Sequence, residues 1–314
     1  EQAWAAGKFR QFDIHHLVYR DAREKFALSA QVVVRCIAKV ADSYKLDRKT
    51  MRSFQPTGAI AYDARILTWH EQSVSIWSIA GRLRIPFLAG ERQMALLAHQ
   101  QGESDLIFRD GIFYLAATCE VQEPAASAEG FLGVDLGIAN IAAASDGKRY
   151  SGSEVKSVRH RQRRLRTKLQ KKLTTSANRR LKKLAGKEQR FATHTNHVIS
   201  KQIVATAKGT GRGLKVEDLS GIRGRVKVRH GQRVVLHSWA FAQLKQFLLY
   251  KAALAGVVVV QVDPRNSSRE CSQCGHVDKA NRTSQSKFSC RSCGFAAPAA
   301  LNPAVVISGR AACK

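Results

Sequence analysis

Three things are scarce or missing in this sequence, and each narrows the choices. No apolar run in the 314 residues approaches the ~20 needed to cross a bilayer as a helix. No secretory signal is visible, so a cytoplasmic location is expected. Acid is short: 24 Asp and Glu stand against 52 Lys and Arg, a formal net charge of +28. That excess is far beyond what solubility asks for and points to a polyanionic partner. Nucleic acid fits better than an acidic membrane surface, because no lipidation motif or interfacial anchor helix accompanies the charge. The chain opens on Glu1 rather than Met, which leads us to expect a shortened N-terminus.

The length allows two or three domains with their own cores. Of seven Cys, four fall in two CxxC pairs near the C-terminus. An odd count with four at metal spacing argues for a reducing compartment and against a disulfide framework. Cys36, Cys119 and Cys313 read as small buried hydrophobes or a free tail thiol.

Residues 1–50 read as helical. Val33, Cys36, Ile37, Val40, Ala41 and Tyr44 recur at helical spacing behind Ser29, a candidate cap. From 57 to 122 the texture changes to short runs rich in Ile, Val, Phe, Tyr and Trp: Ile60–Trp69, Val74–Ile79, Leu83–Phe87, Asp105–Phe108 and Ile112–Val121. Arg109-Asp110-Gly111 signals a hairpin, and a small antiparallel barrel or curled sheet is expected. Residues 122–130, QEPAASAEG, read as a linker.

Phe131-Leu-Gly-Val-Asp-Leu-Gly-Ile138 is apolar on both sides of one carboxylate, Asp135. So short a continuous apolar run reads as a strand buried on both faces. An acid inside it needs a cation beside it, and either a metal ion or an Arg would serve. Gly133 and Gly137 let a ligand or backbone approach closely. Asp146-Gly147 marks a tight hairpin. Residues 153–209 read as a basic helical insertion, with Leu165, Leu169, Leu173, Leu181 and Leu184 forming an apolar stripe. Between Lys156 and Arg190 the one acid is Glu188, so the exposed cations lack the acids that balance an ordinary solvated face. Contact with a phosphate backbone is the favoured reading for Arg161, Arg163, Arg164, Lys168, Lys171, Lys172, Arg179 and Arg180, and for Arg223, Arg225 and Arg229 in the basic loop Gly221–Arg233.

Leu214–Leu219 is a second short strand ending in Glu217 and Asp218, of which only one can share a face with Asp135. Ser238–Leu254, with Trp239, Phe241, Leu244, Phe247 and Leu248 on its apolar side, leads to the strand Val257–Val262. Strand, helix, strand at this spacing predicts parallel pairing. Cys271, Cys274, Cys290 and Cys293 then form CxxC–x15–CxxC, the spacing of a structural four-thiolate zinc site; a redox pair is the lesser alternative. His276 beside the knuckle reads as a surface or phosphate contact.

The order GVDLGI, basic insertion, VEDL, HSWAFAQLKQFLLYKA, VDPRNSSRECSQCG and CGF resembles the TnpB family of transposon-encoded RNA-guided nucleases, also called OrfB-type transposases and related to type V CRISPR effectors. The resemblance covers residues ~55–314 and is most specific from Phe131 onward. It implies an α/β fold: an RNase H-like RuvC domain with an inserted zinc ribbon, preceded by a helical segment and a small β-barrel. On this sequence the implied parts are 1–56 helical, 57–122 barrel, 123–130 linker, 131–265 RuvC-like with the insertion 153–209, 266–296 zinc ribbon and 297–314 last helix and tail. It further implies a guide RNA, a double-stranded DNA target, structural Zn, and Mg or Mn held by three carboxylates. In the family mechanism one ion activates the attacking water and the other steadies the leaving 3′ oxygen. Asp135 matches the first acid and Glu217 the second. The third position, before the run Leu-Asn-Pro-Ala-Val-Val-Ile307, is Ala300. Asn302 and Pro303 still suit a helix start, Asp263 reads as structural and Asp218 as turned away. The expectation is therefore an RNA-guided DNA-binding protein deficient in cleavage. An active endonuclease with a rescued metal site is the alternative. A plain zinc-ribbon DNA-binding factor leaves Asp135 and Glu217 unexplained.

Overall fold

The chain divides into two units, Glu1–Val121 and Gln122–Lys314, each with its own helices and strands. The structure is a computed structural model that describes residues 1–219, 241–284 and 286–313.

In the first unit, helix α1 (Gln2–Ala5) precedes α2 (Gln11–Phe26) and α3 (Ala30–Leu46). Ala3, Ile14, Val33, Ile37 and Ala41 meet in one small core. Ser29 holds the N-cap position of α3, yet its side chain makes no capping bond. Cys36 faces solvent, against the buried reading. The strands β1 (Ile60–Tyr62), β2 (Leu67–Trp69), β3 (Ser73–Ser78), β4 (Gly81–Pro86), β5 (Gln100–Arg109) and β6 (Ile112–Cys119) form two three-stranded antiparallel sheets, β1-β5-β6 and β2-β3-β4. The expected barrel is thus two sheets around Tyr62, Ile66, Leu67, Val74 and Ile76, without a closed ring of pairing among the described strands. Ile60–Trp69 is two strands because the chain turns at Asp63, whose carbonyl accepts from the Ile66 and Leu67 amides. The short helix α4 (Glu91–Leu97) was not foreseen. At the β5–β6 turn, Asp110 and Gly111 both have positive φ, 52° and 83°, as a type I′ turn requires.

The second unit is built on a five-stranded sheet in the order β9-β8-β7-β10-β11, where β7 is Phe131–Asp135, β8 Asn140–Ala144, β9 Arg149–Ser151, β10 Gly213–Glu217 and β11 Val259–Val262. β7, β8 and β9 run as an antiparallel meander, while β10 pairs parallel with both β7 and β11. One face carries Leu132, Val134, Leu214 and Val216, packed in a single core with Ile203 and Ala207 of α6 (Thr175–Gly209) and Leu244 and Leu248 of α7 (Phe241–Ala255). The opposite face receives the last helix, α8 (Leu301–Gly309). There a Cβ on Gly133 would lie 2.0 Å from the Ala304 carbonyl oxygen and 2.6 Å from the Ser308 nitrogen, so glycine is what lets helix backbone rest on strand backbone. Lys215, the cross-strand partner of Gly133, donates its Nζ to the Ser308 carbonyl at 3.0 Å, satisfying a helix C-terminus with a cation.

Helix α5 (Ser153–Gln170) and the first part of α6 form the basic hairpin. Leu173 does not belong to the apolar stripe: it has φ 50°, is 88% exposed, and sits in the turn before the Thr174 cap. The last part of α6 is core rather than insertion, since Ile199, Ile203, Val204 and Ala207 are buried against the sheet. Ser238, Trp239 and the basic loop with Arg223, Arg225 and Arg229 lie outside the described residues. Among the described residues, no helix is long and apolar enough to cross a membrane.

Candidate metal centres

Asp135 and Glu217 are the last residues of neighbouring parallel strands. The register pairs Val134 with Val216, so the two acids lie side by side one step further on. Alternation puts both on the α8 face, with Gly133 and Lys215. Glu217 is 4% exposed and accepts a hydrogen bond from the Ser267 hydroxyl, which also donates toward the Pro264 carbonyl. Burial first, and then the charge of Asp135, pushes Glu217 up to about 7; Asp263 adds to the push, while Ser267 and Arg310 pull the other way. Burial likewise raises Asp135 to about 6, against the charge of Arg282. Two adjacent acids that both resist ionisation form a site that gains from a cation.

The neighbouring acids are engaged elsewhere. Asp218 points to the other side of the sheet, where Lys245 of α7 holds it at 2.8 Å. Asp263 follows β11, and its carboxylate accepts from the Arg265 amide at 2.9 Å and Arg265 Nε at 2.6 Å, which keeps its pKa below the usual range. Ala300 is the N-cap residue of α8, with φ −95° and ψ −21° and no side chain able to cap. Asn302, expected near the cap, is instead turned away from the helix end. Its Oδ1 accepts from the Ser272 amide at 3.0 Å and its Nδ2 donates to the Glu270 carbonyl at 2.7 Å. The acid-bearing face thus carries two carboxylates, and Ala300 at the start of the helix packed on that face has only a methyl group. Asp135 and Glu217 offer oxygen ligands of the kind a hard divalent ion takes; among the described residues no third acid joins them in a cluster.

The cysteine cluster is complete. Cys271 and Cys293 Sγ are 3.7 Å apart, Cys274 and Cys290 Sγ 3.5 Å, and all four sulfurs lie within 4.8 Å of one another. A tetrahedron with Zn–S bonds of ~2.3 Å has edges of about 3.8 Å, so these thiols fit zinc. Each knuckle turns through a glycine of positive φ, Gly275 and Gly294, whose amides return to the Cys271 and Cys290 carbonyls at 2.9 and 3.2 Å. Phe288 and Phe295 pack on the buried pair Cys271 and Cys290. The side chain of His276 is exposed and outside the cluster.

Ser267, Arg282 and Arg310 escaped the sequence reading. Arg310 reaches back from the end of α8 to the Asp263 carbonyl and the Glu270 carboxylate. The only signal for it was a cation following a helix, which is common. On the basic hairpin, Glu188 pairs with Arg166 across the two helices. Arg161, Arg163, Arg164, Lys168, Lys171, Lys172, Arg179 and Arg180 are all exposed.

Comparison with known proteins agrees with this layout. Residues 115–223 match an OrfB family model described as "Probable transposase", and residues 241–307 match a "Cas12f1-like, TNB domain". The chain is 39% identical over 125 residues to a CRISPR-associated endodeoxyribonuclease Cas12f1 of Sulfoacidibacillus thermotolerans, a match spanning 40% of this chain and 28% of that protein. It is 29% identical over 181 residues to a Cas12f1 of Syntrophomonas palmitatica, spanning 52% of this chain and 35% of the other. A TnpB-like protein of Methanocaldococcus jannaschii is 32% identical over 134 residues, 41% of this chain and 48% of that one. The chain therefore spans half or less of these relatives. The two family matches between them take in the acid-bearing strands, the basic hairpin, the cysteine knuckles and most of the last helix, and over these parts the chain is similar to TnpB-type and Cas12f-type proteins.

Proposed function

We propose that this chain is an RNA-guided double-stranded-DNA-binding protein of the TnpB type whose RuvC-like site has lost the ligand needed for efficient cleavage. The observation that carries the proposal is Ala300, a methyl at the N-cap of the helix that packs on the acid-bearing face. The sheet order, with an acid on the central strand, a meander on one side and two parallel strands on the other, supports an RNase H-like scaffold. The exposed cations of the α5–α6 hairpin support a backbone-binding surface for guide RNA and target DNA, because a protein of this kind reads sequence through the guide and holds the duplex by charge and shape. Asp135 and Glu217 would hold a divalent ion through oxygen, and the four cysteines a structural zinc. A divalent ion at such a site supplies Lewis acidity to an attacking water. The chain's own part is to keep the two acids desolvated side by side, with Ser267 orienting Glu217.

The test purifies the chain with its RNA, sequences that RNA, and assays a matching plasmid with Mg²⁺ or Mn²⁺ against Ala300→Asp. Both proteins should bind the target. The Asp variant should cut faster by about 10²–10⁴-fold, the usual weight of one key electrostatic element in an active site. Robust cutting by the unaltered chain overturns the deficiency, and absence of bound RNA overturns the guide.

An active endonuclease is the second reading. It is favoured by the proximity of Asp263 to Glu217, close enough for its charge to act there. If cutting is seen, Asp263→Asn should abolish it.

A further inference from the structure

Asn302 has an unusual set of partners. Its side chain is 1% exposed, and both polar atoms are used on the peptide groups that flank the first zinc ligand, the carbonyl of Glu270 and the amide of Ser272. It stands two residues after Ala300, in the first turn of the helix that lies on the acid-bearing face. The knuckle it grips is tied internally by a second buried amide. Asn281 donates to the Arg269 and His276 carbonyls at 2.9 and 3.0 Å and accepts from the Arg291 amide, beside Cys290, at 2.9 Å. From the same knuckle segment, Glu270 receives the Arg310 guanidinium, and Ser267, four residues before Cys271, donates to Glu217. The one segment 267–272 therefore meets the start of α8 through Asn302 and the buried carboxylate through Ser267, and it carries the first thiol.

We infer that the zinc knuckle positions the carboxylate site, and that Asn302 is the positioning residue through which zinc occupancy reaches the third-ligand position at residue 300. The physical reason is that a closed thiolate–zinc tetrahedron fixes the peptides on either side of Cys271. Asn302 then has two fixed partners and holds the first turn of α8 in one place. Without the metal those peptides lose their geometry, and a buried amide left without partners drives the helix start to rearrange. Residues that orient metal ligands from outside commonly carry 10–100-fold of metal affinity.

Two measurements on the full chain test this. The first is hydrogen–deuterium exchange of the segment 300–309 in the zinc-loaded protein, the zinc-stripped protein and Asn302→Ala. Exchange there should rise by about tenfold or more both on stripping zinc and in Asn302→Ala, the latter keeping one zinc per chain. Unchanged exchange in the stripped protein overturns the inference, and this arm stands even if Asn302→Ala fails to fold. The second titrates Mn²⁺ by electron paramagnetic resonance into Ala300→Asp with and without Asn302→Ala, zinc retained in both. This arm rests on the divalent site proposed above. Mn²⁺ affinity should fall about 10–100-fold in the double variant, and equal affinity overturns the inference. No Mn²⁺ binding by Ala300→Asp at all would defeat the divalent site, leaving the exchange arm to decide the coupling.

Discussion

The cysteine cluster and the acid pair are two candidate metal centres built in opposite ways. The ribbon takes its four ligands from two four-residue knuckles, each closed by its own glycine turn, so nearly all of its geometry is local. The acid site takes its ligands from the ends of strands far apart in the chain, and it exists only because β7 and β10 pair in one register. A local site is lost only by losing a ligand that the fold of that segment needs. A distributed site can lose a ligand and leave the scaffold intact. Helix α8 keeps its place through the Gly133 crossing, the Lys215 contact and Asn302, none of which depends on the side chain at 300. That is why an Ala can occupy the position without disturbing the packing around it.

The comparison can be broken or sharpened by experiment. The largest effect is expected at the ribbon. Chelating zinc, or Cys274→Ser, should unfold residues 266–296, because structural zinc supplies about 10 kcal/mol or more to small modules of this kind. Circular dichroism and zinc content report it, and an unchanged melt would count against a structural metal. Next comes Gly133→Ala. Its new Cβ would meet backbone atoms at 2.0 and 2.6 Å that no side-chain motion can relieve. Unit 2 should lose about 3 kcal/mol or more in urea denaturation, at the upper end of overpacking costs. A loss near zero would mean that α8 can shift freely.

A smaller, pH-dependent effect belongs to Glu217. Its folded pKa of about 7 lies above the ordinary value of 4.5. The folded state therefore holds the proton more tightly than the unfolded one, and metal-free stability should fall as pH rises from about 4.5 through 7. The upper bound is about 3 kcal/mol for a shift of this size. Glu217→Gln should flatten the part of that slope between about pH 6 and 7, while Asp135, itself raised to about 6, keeps a slope below it. Asp218→Asn, whose carboxylate sits on the other face with Lys245, should leave the slope in place. Melting temperature against pH without divalent ions checks this, and a slope between about pH 6 and 7 that survives Glu217→Gln would assign it to other groups.

Much of this was legible beforehand. The β5–β6 hairpin follows from Asp110-Gly111, the parallel unit from a strand–helix–strand spacing, and the thiol cluster from its ligand spacing. The misses share one cause. Leu173 fitted a helical stripe but fell in the turn, because spacing alone cannot say where a helix stops. The end of α6 looked like more of a basic insertion because charge counts do not reveal which face meets a sheet. Asn302 looked like helix-start chemistry, since its true partners lie on another segment.

What the sequence determined by itself was everything carried by neighbours along the chain: turn chemistry, ligand spacing in the knuckles, the excess of cations and the absence of an acid at 300. Only the tertiary structure decided which of Glu217 and Asp218 meets Asp135, that Gly133 is required by helix backbone, and that Asn302 and Arg310 join the last helix to the ribbon. Those outcomes depend on strand register and on contacts between distant segments, which are set when the core closes.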